Sequence, residues 1–164
     1  MSAQAPPKRI RQHTSCYNSL VTKVYFACSI RGGGDTSLYQ SIVDAIKQAG
    51  GDVLSEVFVH DVINYGGSPL PADQIYERDT QMIHDSDVMI AEVTNPSLGV
   101  GYELAYAEKL HRPILCLFNT TSTNKLSAMV AGNNYNTIEY THPDEITDTV
   151  RAFMNDRVSL SQSS

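Results

Sequence analysis

Two acidic residues occupy positions where their chemistry could be put to use. Asp79 lies in a segment, Ala72 to Ser86, whose spacing predicts a helix with an apolar stripe of Ile75, Met82 and Ile83. It falls four residues after Ile75 and four before Ile83, inside that stripe, while Glu77 points away. A carboxyl group facing a core must be paired, protonated or open to a cavity. A catalytic acid fits this placement, and so does a buried structural Asp that caps neighbouring backbone. Glu103 follows the turn Pro96-Ser97-Leu98-Gly99-Val100-Gly101 and is expected in the first turn of the next helix. There the positive helix end favours its ionised form. An acid that merely complements the helix dipole fits the same position.

Two glycine-bearing turns form a third feature. Ser29-Ile30-Arg31-Gly32-Gly33 ends a predicted strand, and Ser97-Leu98-Gly99 follows another. Each sets a hydroxyl and free N–H groups at a helix start, where a phosphate is favoured. Neither matches a dinucleotide fingerprint or a P-loop. Taken alone, each is an ordinary strand-to-helix turn. No H-E-x-x-H string occurs and the five histidines are scattered, so no metal site and no cofactor are expected. A G-x-S-x-G elbow is missing too, because Asn95 stands two residues before Ser97. Tyr25 sits mid-strand, where a core tyrosine with a satisfied hydroxyl is the default.

The elements that must position these residues follow from periodicity. Lys23 to Ile30 reads as a buried strand, and Asp35 or Thr36 caps a helix that runs to about Ala49. Asp52 to Val59 reads as a second strand, and Asp61 to Pro71 as a long loop and candidate lid. After the helix to Ser86 come a strand at Asp87 to Val93, a helix at Val100 to Leu110 and a strand at Pro113 to Phe118. A loop with a short helix near Leu126 to Val130, a strand at Thr137 to Tyr140 and a helix at Pro143 to Asn155 complete the chain. Strands alternating with helices at this spacing predict an α/β fold, a doubly wound, Rossmann-like five-stranded parallel sheet with helices on both faces. Ligands of such sheets bind beyond the carboxyl ends of the strands.

Composition narrows the function. The chain has 164 residues, enough for one domain with a real core. Residues 1–20 are expected to be a disordered basic tail, residues 21–157 the domain, and residues 158–164 a frayed end. The cluster Lys8-Arg9-Ile10-Arg11 reads as a solvated tail or a short address, compatible with cytoplasm or nucleus. Residues 1–34 carry five bases and no acid. The rest carries seven bases and eighteen acids, a formal charge of 7 − 18 = −11. That acidity disfavours a nucleic-acid surface. No apolar run reaches the roughly 20 residues that span a bilayer, so no membrane partner is expected. Three cysteines without a C-x-x-C pair argue against a disulfide framework.

Several strings together are far more specific. Tyr25 to Gly33 (YFACSIRGG), Ala91 to Leu104 (AEVTNPSLGVGYEL), Pro113 to Phe118 (PILCLF) and Leu126 to Met129 (LSAM) occur in that order. They resemble the 2'-deoxynucleoside 5'-phosphate N-hydrolases of the nucleoside 2-deoxyribosyltransferase superfamily, over roughly Lys23 to Met154. The resemblance implies cleavage of the N-glycosidic bond of a nucleoside 5'-monophosphate through a glycosyl ester on Glu103. It implies Asp79 as the acid that assists base departure and Tyr25 as the hydrogen-bond donor to the nucleophile. It further implies Ser29, Ser97, Gly99 and Ser127 at the phosphate, with Ser127 reaching across a homodimer interface. Ile30, Arg31, Gly32 and Gly33 would wrap sugar and base, and Tyr39 and Met129 complete the expected substrate contacts.

Retaining double displacement in glycosidases sets its two carboxyl groups about 5–5.5 Å apart, and a similar separation is expected here by analogy. Asp79 is expected to have a raised pKa, and Glu103 a depressed or near-normal one. The sequence departs from the pattern after Leu54-Ser55-Glu56, where Val57 stands in place of a histidine expected near the base. Base and sugar preference therefore stay open, a cytidine-type ribonucleotide included. The competing functions are a deoxyribosyltransferase acting on nucleosides without phosphate and a non-catalytic nucleotide-binding module.

Overall fold

The computed structural model describes residues 21–30, 34–65 and 67–161. Among these, five strands are present: β1 (Lys23–Ala27), β2 (Asp52–Val53), β3 (Val88–Glu92), β4 (Ile114–Asn119) and β5 (Asn136–Tyr140). Between and after them run α1 (Thr36–Gln48), α2 (Glu56–Tyr65), α3 (Ala72–Asp85), α4 (Leu98–Lys109), α5 (Ala128–Ala131) and α6 (Asp144–Ser161). The strands form one parallel sheet in the order β2-β1-β3-β4-β5. This is the expected doubly wound α/β fold. The chain runs outward in one direction from β1 to β2 and in the other from β3 to β5. The switch point lies where β1 and β3 pair, and a crevice opens beyond their carboxyl ends.

Strand alternation decides which face each side chain serves. Val24 and Phe26 pack with Ile42, Val43 and Ile46 of α1 and with Val150, Phe153 and Met154 of α6. Tyr25 and Ala27 turn to the other face, among Ile83 of α3 and Val100, Leu104 and Ala107 of α4. Tyr25 therefore meets the two helices that carry Asp79 and Glu103. Asp35 caps α1 by accepting from the Ser37 and Leu38 N–H groups at 2.9 and 3.2 Å. Gly34 lies directly under Tyr39: a Cβ there would stand 1.9 Å from the tyrosine oxygen, so only glycine fits.

The second strand is far shorter than expected. Pairing ends at Val53, because the Ser55 hydroxyl accepts from Phe26 N and donates to Phe26 O, both at 2.8 Å. A side chain thus satisfies the β1 backbone where a longer strand would have done so. The chain then turns into α2, and the alternating valines at 57 and 59 belong to a helix. Val59 is buried against the α1 side of the core. The candidate lid over Asp61 to Pro71 shrinks accordingly, since 61–65 are helical. At the other end, α6 continues to Ser161, past the expected end at Asn155.

One buried acid ties the strand ends together. Glu92, 1 % exposed at the end of β3, accepts from Thr94 N at 3.2 Å, from the Thr94 hydroxyl and from Tyr140 Oη at 3.2 Å. Thr94 Oγ1 in turn accepts from Asn119 N at 2.8 Å. The carboxyl ends of β3, β4 and β5 are so joined through a single carboxyl group. Thr94→Val keeps the shape and removes the hydroxyl from both bonds. Urea denaturation is expected to show a loss of about 1–3 kcal/mol, the cost of unsatisfied buried partners. A change under about 0.5 kcal/mol would show that this tie carries no weight.

Candidate active site

Tyr25, fully buried in β1, donates its hydroxyl to Glu103 Oε1 at 2.9 Å. Burial and the neighbouring carboxyl groups of Glu103 and Asp79 push the phenol well above its ordinary pKa. It is a permanent donor at neutral pH. The bond engages one oxygen of Glu103.

Glu103 itself corrects the expectation of a depressed or near-normal pKa. Burial pushes its carboxyl up to about 7; the Tyr25 bond opposes this and the charge of Asp79 adds to it. The helix dipole fails to hold it down because α4 begins at Leu98. Glu103 is thus in the second turn, beyond the free N–H groups where the dipole acts. Burial outweighs it.

Asp79, half-buried on α3, lies within electrostatic reach of Glu103 and Tyr25. Its pKa is raised, as expected, by burial, against the lowering effect of Arg78. Arg78 Nε bonds Asp79 Oδ1 at 2.9 Å. Two carboxyl groups, one tyrosine and one guanidinium from β1, α3 and α4 therefore meet at one end of the sheet. Cys28, next along the chain, has its thiol pushed up to about 12 by burial and by the charges of Glu103 and Glu92. It remains a neutral thiol.

The two turns flank this group. Ser29 is 1 % exposed, and its Oγ is buried without a hydrogen-bond partner among the described residues. Such an atom favours a ligand that supplies one. Ser97 caps α4, accepting from Val100 N at 3.4 Å. Gly99 is exposed, and a Cβ there would meet only Ser97 Oγ, at 3.7 Å. Ile30 is half-buried beside the Tyr25 face of the core. Arg31, Gly32 and Gly33 lie outside the described residues, as does the 1–20 tail. Tyr39 is 1 % exposed and donates to Ser29 O at 3.1 Å, bracing the turn from behind. Val57 is exposed on the first turn of α2.

Ser127 and Met129 are exposed at α5, Met129 to 83 %. Ser127 lines a cavity of about 290 Å³ with Asn95, Ser97, Leu104 and Val130 of the same chain. Tyr25, Asp79 and Glu103 are not among the lining residues. Within one chain, then, Ser127 stands near the Ser97 turn. Sequence reasoning gave no role to Arg78 or Glu92. The available signals were a cation directly before the suspect Asp79 and a lone acid in the apolar strand Val88-Met89-Ile90-Ala91-Glu92.

With this geometry in place, the comparisons with known proteins are decisive about kinship. A family model described as nucleoside 2-deoxyribosyltransferase matches residues 24–142. The chain belongs to that family. It is 47% identical over 111 residues to a 5-hydroxymethyl-dUMP N-hydrolase of Danio rerio, covering 66% of this chain and 77% of the relative. A Trichoplax adhaerens protein, provisionally named a 2'-deoxynucleoside 5'-phosphate N-hydrolase, is 41% identical over 140 residues, covering 83% and 95%. Among solved structures, a Clostridium botulinum CMP N-glycosidase superposes with a TM-score of 0.58 at 18% identity, over 79% of this chain and 98% of the other. The solution structure of BlsM gives 0.68, also at 18%, over 85% and 94%. These two share the fold. Among the described residues no helix is long and apolar enough to cross a membrane.

The raised pKa has a consequence for stability. Glu103 binds its proton more tightly folded, near 7, than at its ordinary 4.5. Its ionisation therefore removes stability as pH rises through about 7, by at most about 3 kcal/mol. Glu103→Gln cannot ionise. Its melting temperature is expected to exceed that of the native chain at pH 8.5 and to match it at pH 4.5. Equal melting temperatures at both values would mean that Glu103 is not desolvated.

Proposed function

We propose that the chain hydrolyses the N-glycosidic bond of (2'-deoxy)nucleoside 5'-monophosphates, releasing free base and (deoxy)ribose 5-phosphate. The observation that carries this reading is the Tyr25–Glu103 hydrogen bond with Asp79 in the same electrostatic field. The free oxygen of Glu103 attacks the anomeric carbon while the bond to the base breaks. Positive charge grows on the sugar, and a desolvated carboxylate meets it more strongly than a hydrated one would. Asp79 delivers its proton to the departing base. Water then attacks the glycosyl ester, giving a proton to Asp79 and returning Glu103 to its free state. Tyr25 holds Glu103 in one orientation through both steps.

The phosphate is read by Ser29, Ser97 and Gly99 at the two turns, and the unpartnered Ser29 hydroxyl supports that assignment. Ser127 completes the cradle from a second copy of the chain. That reading is supported by its exposure. A deoxyribosyltransferase uses the same nucleophile, and the family description favours keeping it as the second reading. Adding a second free base to the assay separates the two: the hydrolase accumulates sugar phosphate, the transferase a new nucleoside.

Three outcomes test the proposal. In a panel of ribo- and deoxyribonucleoside monophosphates with released base measured by chromatography, Glu103→Ala is expected to lose at least about a thousandfold in kcat. Base release at the native rate would remove the mechanism. The working state of the carboxyl pair holds one proton, which is lost near pH 7 and above. The value of kcat/KM should therefore fall on the alkaline side of about 7, and a flat profile to pH 9 contradicts the pair. Ser127→Ala is expected to weaken monophosphate binding by about 1.5–3 kcal/mol, roughly ten- to 150-fold, and to leave nucleoside binding unchanged. Equal losses for the two would mean that Ser127 does not touch phosphate.

A further inference from the structure

Arg78 is unexplained by the functional reading above, on which the following inference rests. Neighbouring residues of a helix do not face one another, since each step turns the side chain by about 100°. Yet Arg78 Nε bonds Asp79 Oδ1 at 2.9 Å. The guanidinium thus reaches along the helix to its neighbour's carboxyl group. Groups from outside α3 lie against it as well. Asp61 of α2 places Oδ2 3.8 Å from Arg78 Nη1, and Ser68 Oγ accepts from the same nitrogen at 3.4 Å. The three charged side chains are shielded from solvent, at 20%, 16% and 18% exposure for Arg78, Asp61 and Asp79.

We infer that Arg78 is a positioning residue for the reaction: anchored by Asp61 and Ser68, it fixes the Asp79 carboxyl group in the crevice and supports its negative charge once the proton has gone to the base. The arrangement links the acid to α2 and to the turn before α3. The groups that act on Asp79 are Arg78 on its own helix, Glu103 on α4 and Tyr25 on β1, with Asp61 of α2 acting through Arg78. Arg78 is the cation set against the carboxyl groups. Its removal raises the proton affinity of the pair, and the alkaline limb of the rate profile moves to higher pH.

The test compares leaving groups. One substrate is the nucleoside monophosphate that the native chain cleaves fastest. The other is 4-nitrophenyl 2-deoxyribofuranoside 5-phosphate, whose nitrophenolate departs without a proton. Arg78→Gln is expected to lose ten- to a hundredfold in kcat on the nucleotide and less than threefold on the aryl compound, with the alkaline limb shifted upward. Arg78→Lys should recover part of the loss. Asp61→Asn, which touches only the anchor, should show a smaller loss of the same selectivity and keeps the test open if Arg78→Gln fails to fold. Equal losses on both substrates, or no loss on the nucleotide, would overturn the inference and leave the functional reading intact. A native chain that cleaves neither substrate would overturn the functional reading and the inference together.

Discussion

The hydrogen bond from Tyr25 Oη to Glu103 Oε1 joins the first strand to the fourth helix, and the proposed chemistry depends on it. A carboxyl group in apolar surroundings resists ionisation, and burial alone would favour leaving it protonated. One neutral donor at 2.9 Å makes the ionised form accessible without neutralising it. A cation in that place would hold the carboxylate too firmly in its ground state for the developing sugar charge to compete. The chain sets its cation on Asp79 instead. The two acids thus differ in their partners: a phenol for Glu103, the proposed nucleophile, and a guanidinium for Asp79, the proposed proton donor.

Sheet order makes that division possible. Because β1 pairs with β3, the turn at Ser29 and the turn at Ser97 open side by side at the switch point. The same pairing sets Tyr25 on the face shared by α3 and α4. The opposite face, with α1 and α6, carries most of the packing and contributes Tyr39, which steadies the Ser29 turn. Glu92 fixes the ends of β3, β4 and β5, from which the Ser97 turn departs. The Ser29 and Ser97 turns on one side and the carboxyl groups on the other are thereby tied to one sheet.

Much of this was legible in the sequence, for physical reasons. The apolar, β-branched and aromatic run from Lys23 marked β1 and set Tyr25 mid-strand. Helical spacing placed Asp79 inward. Asp35, one of the two cap candidates, does cap α1, whose C-cap is Ala49 as expected, and the strand and helix sequence predicted the parallel sheet. The second strand was misjudged because valines at 57 and 59 suit either a strand or a helix. A single hydroxyl, that of Ser55, decided between them through a contact with Phe26 that no local pattern reveals. The pKa of Glu103 was misjudged because its value turns on where α4 begins. A start two residues earlier takes it out of the dipole's reach, and its burial, the largest cause of the shift, comes from packing that no local pattern shows. Arg78 and Glu92 went unassigned because their meaning lies in partners distant along the chain, Asp61 for one and Tyr140 for the other.

The proposed role of Glu103 is covalent, and it can be observed directly. The native chain is mixed with its best nucleoside monophosphate substrate, quenched in acid within milliseconds, digested and examined by mass spectrometry. The account predicts that the peptide containing Glu103 gains the mass of one dehydrated sugar 5-phosphate, and that Glu103→Gln shows no such gain. An unmodified Glu103 peptide throughout turnover, with sugar phosphate released in the inverted anomeric form, would contradict it.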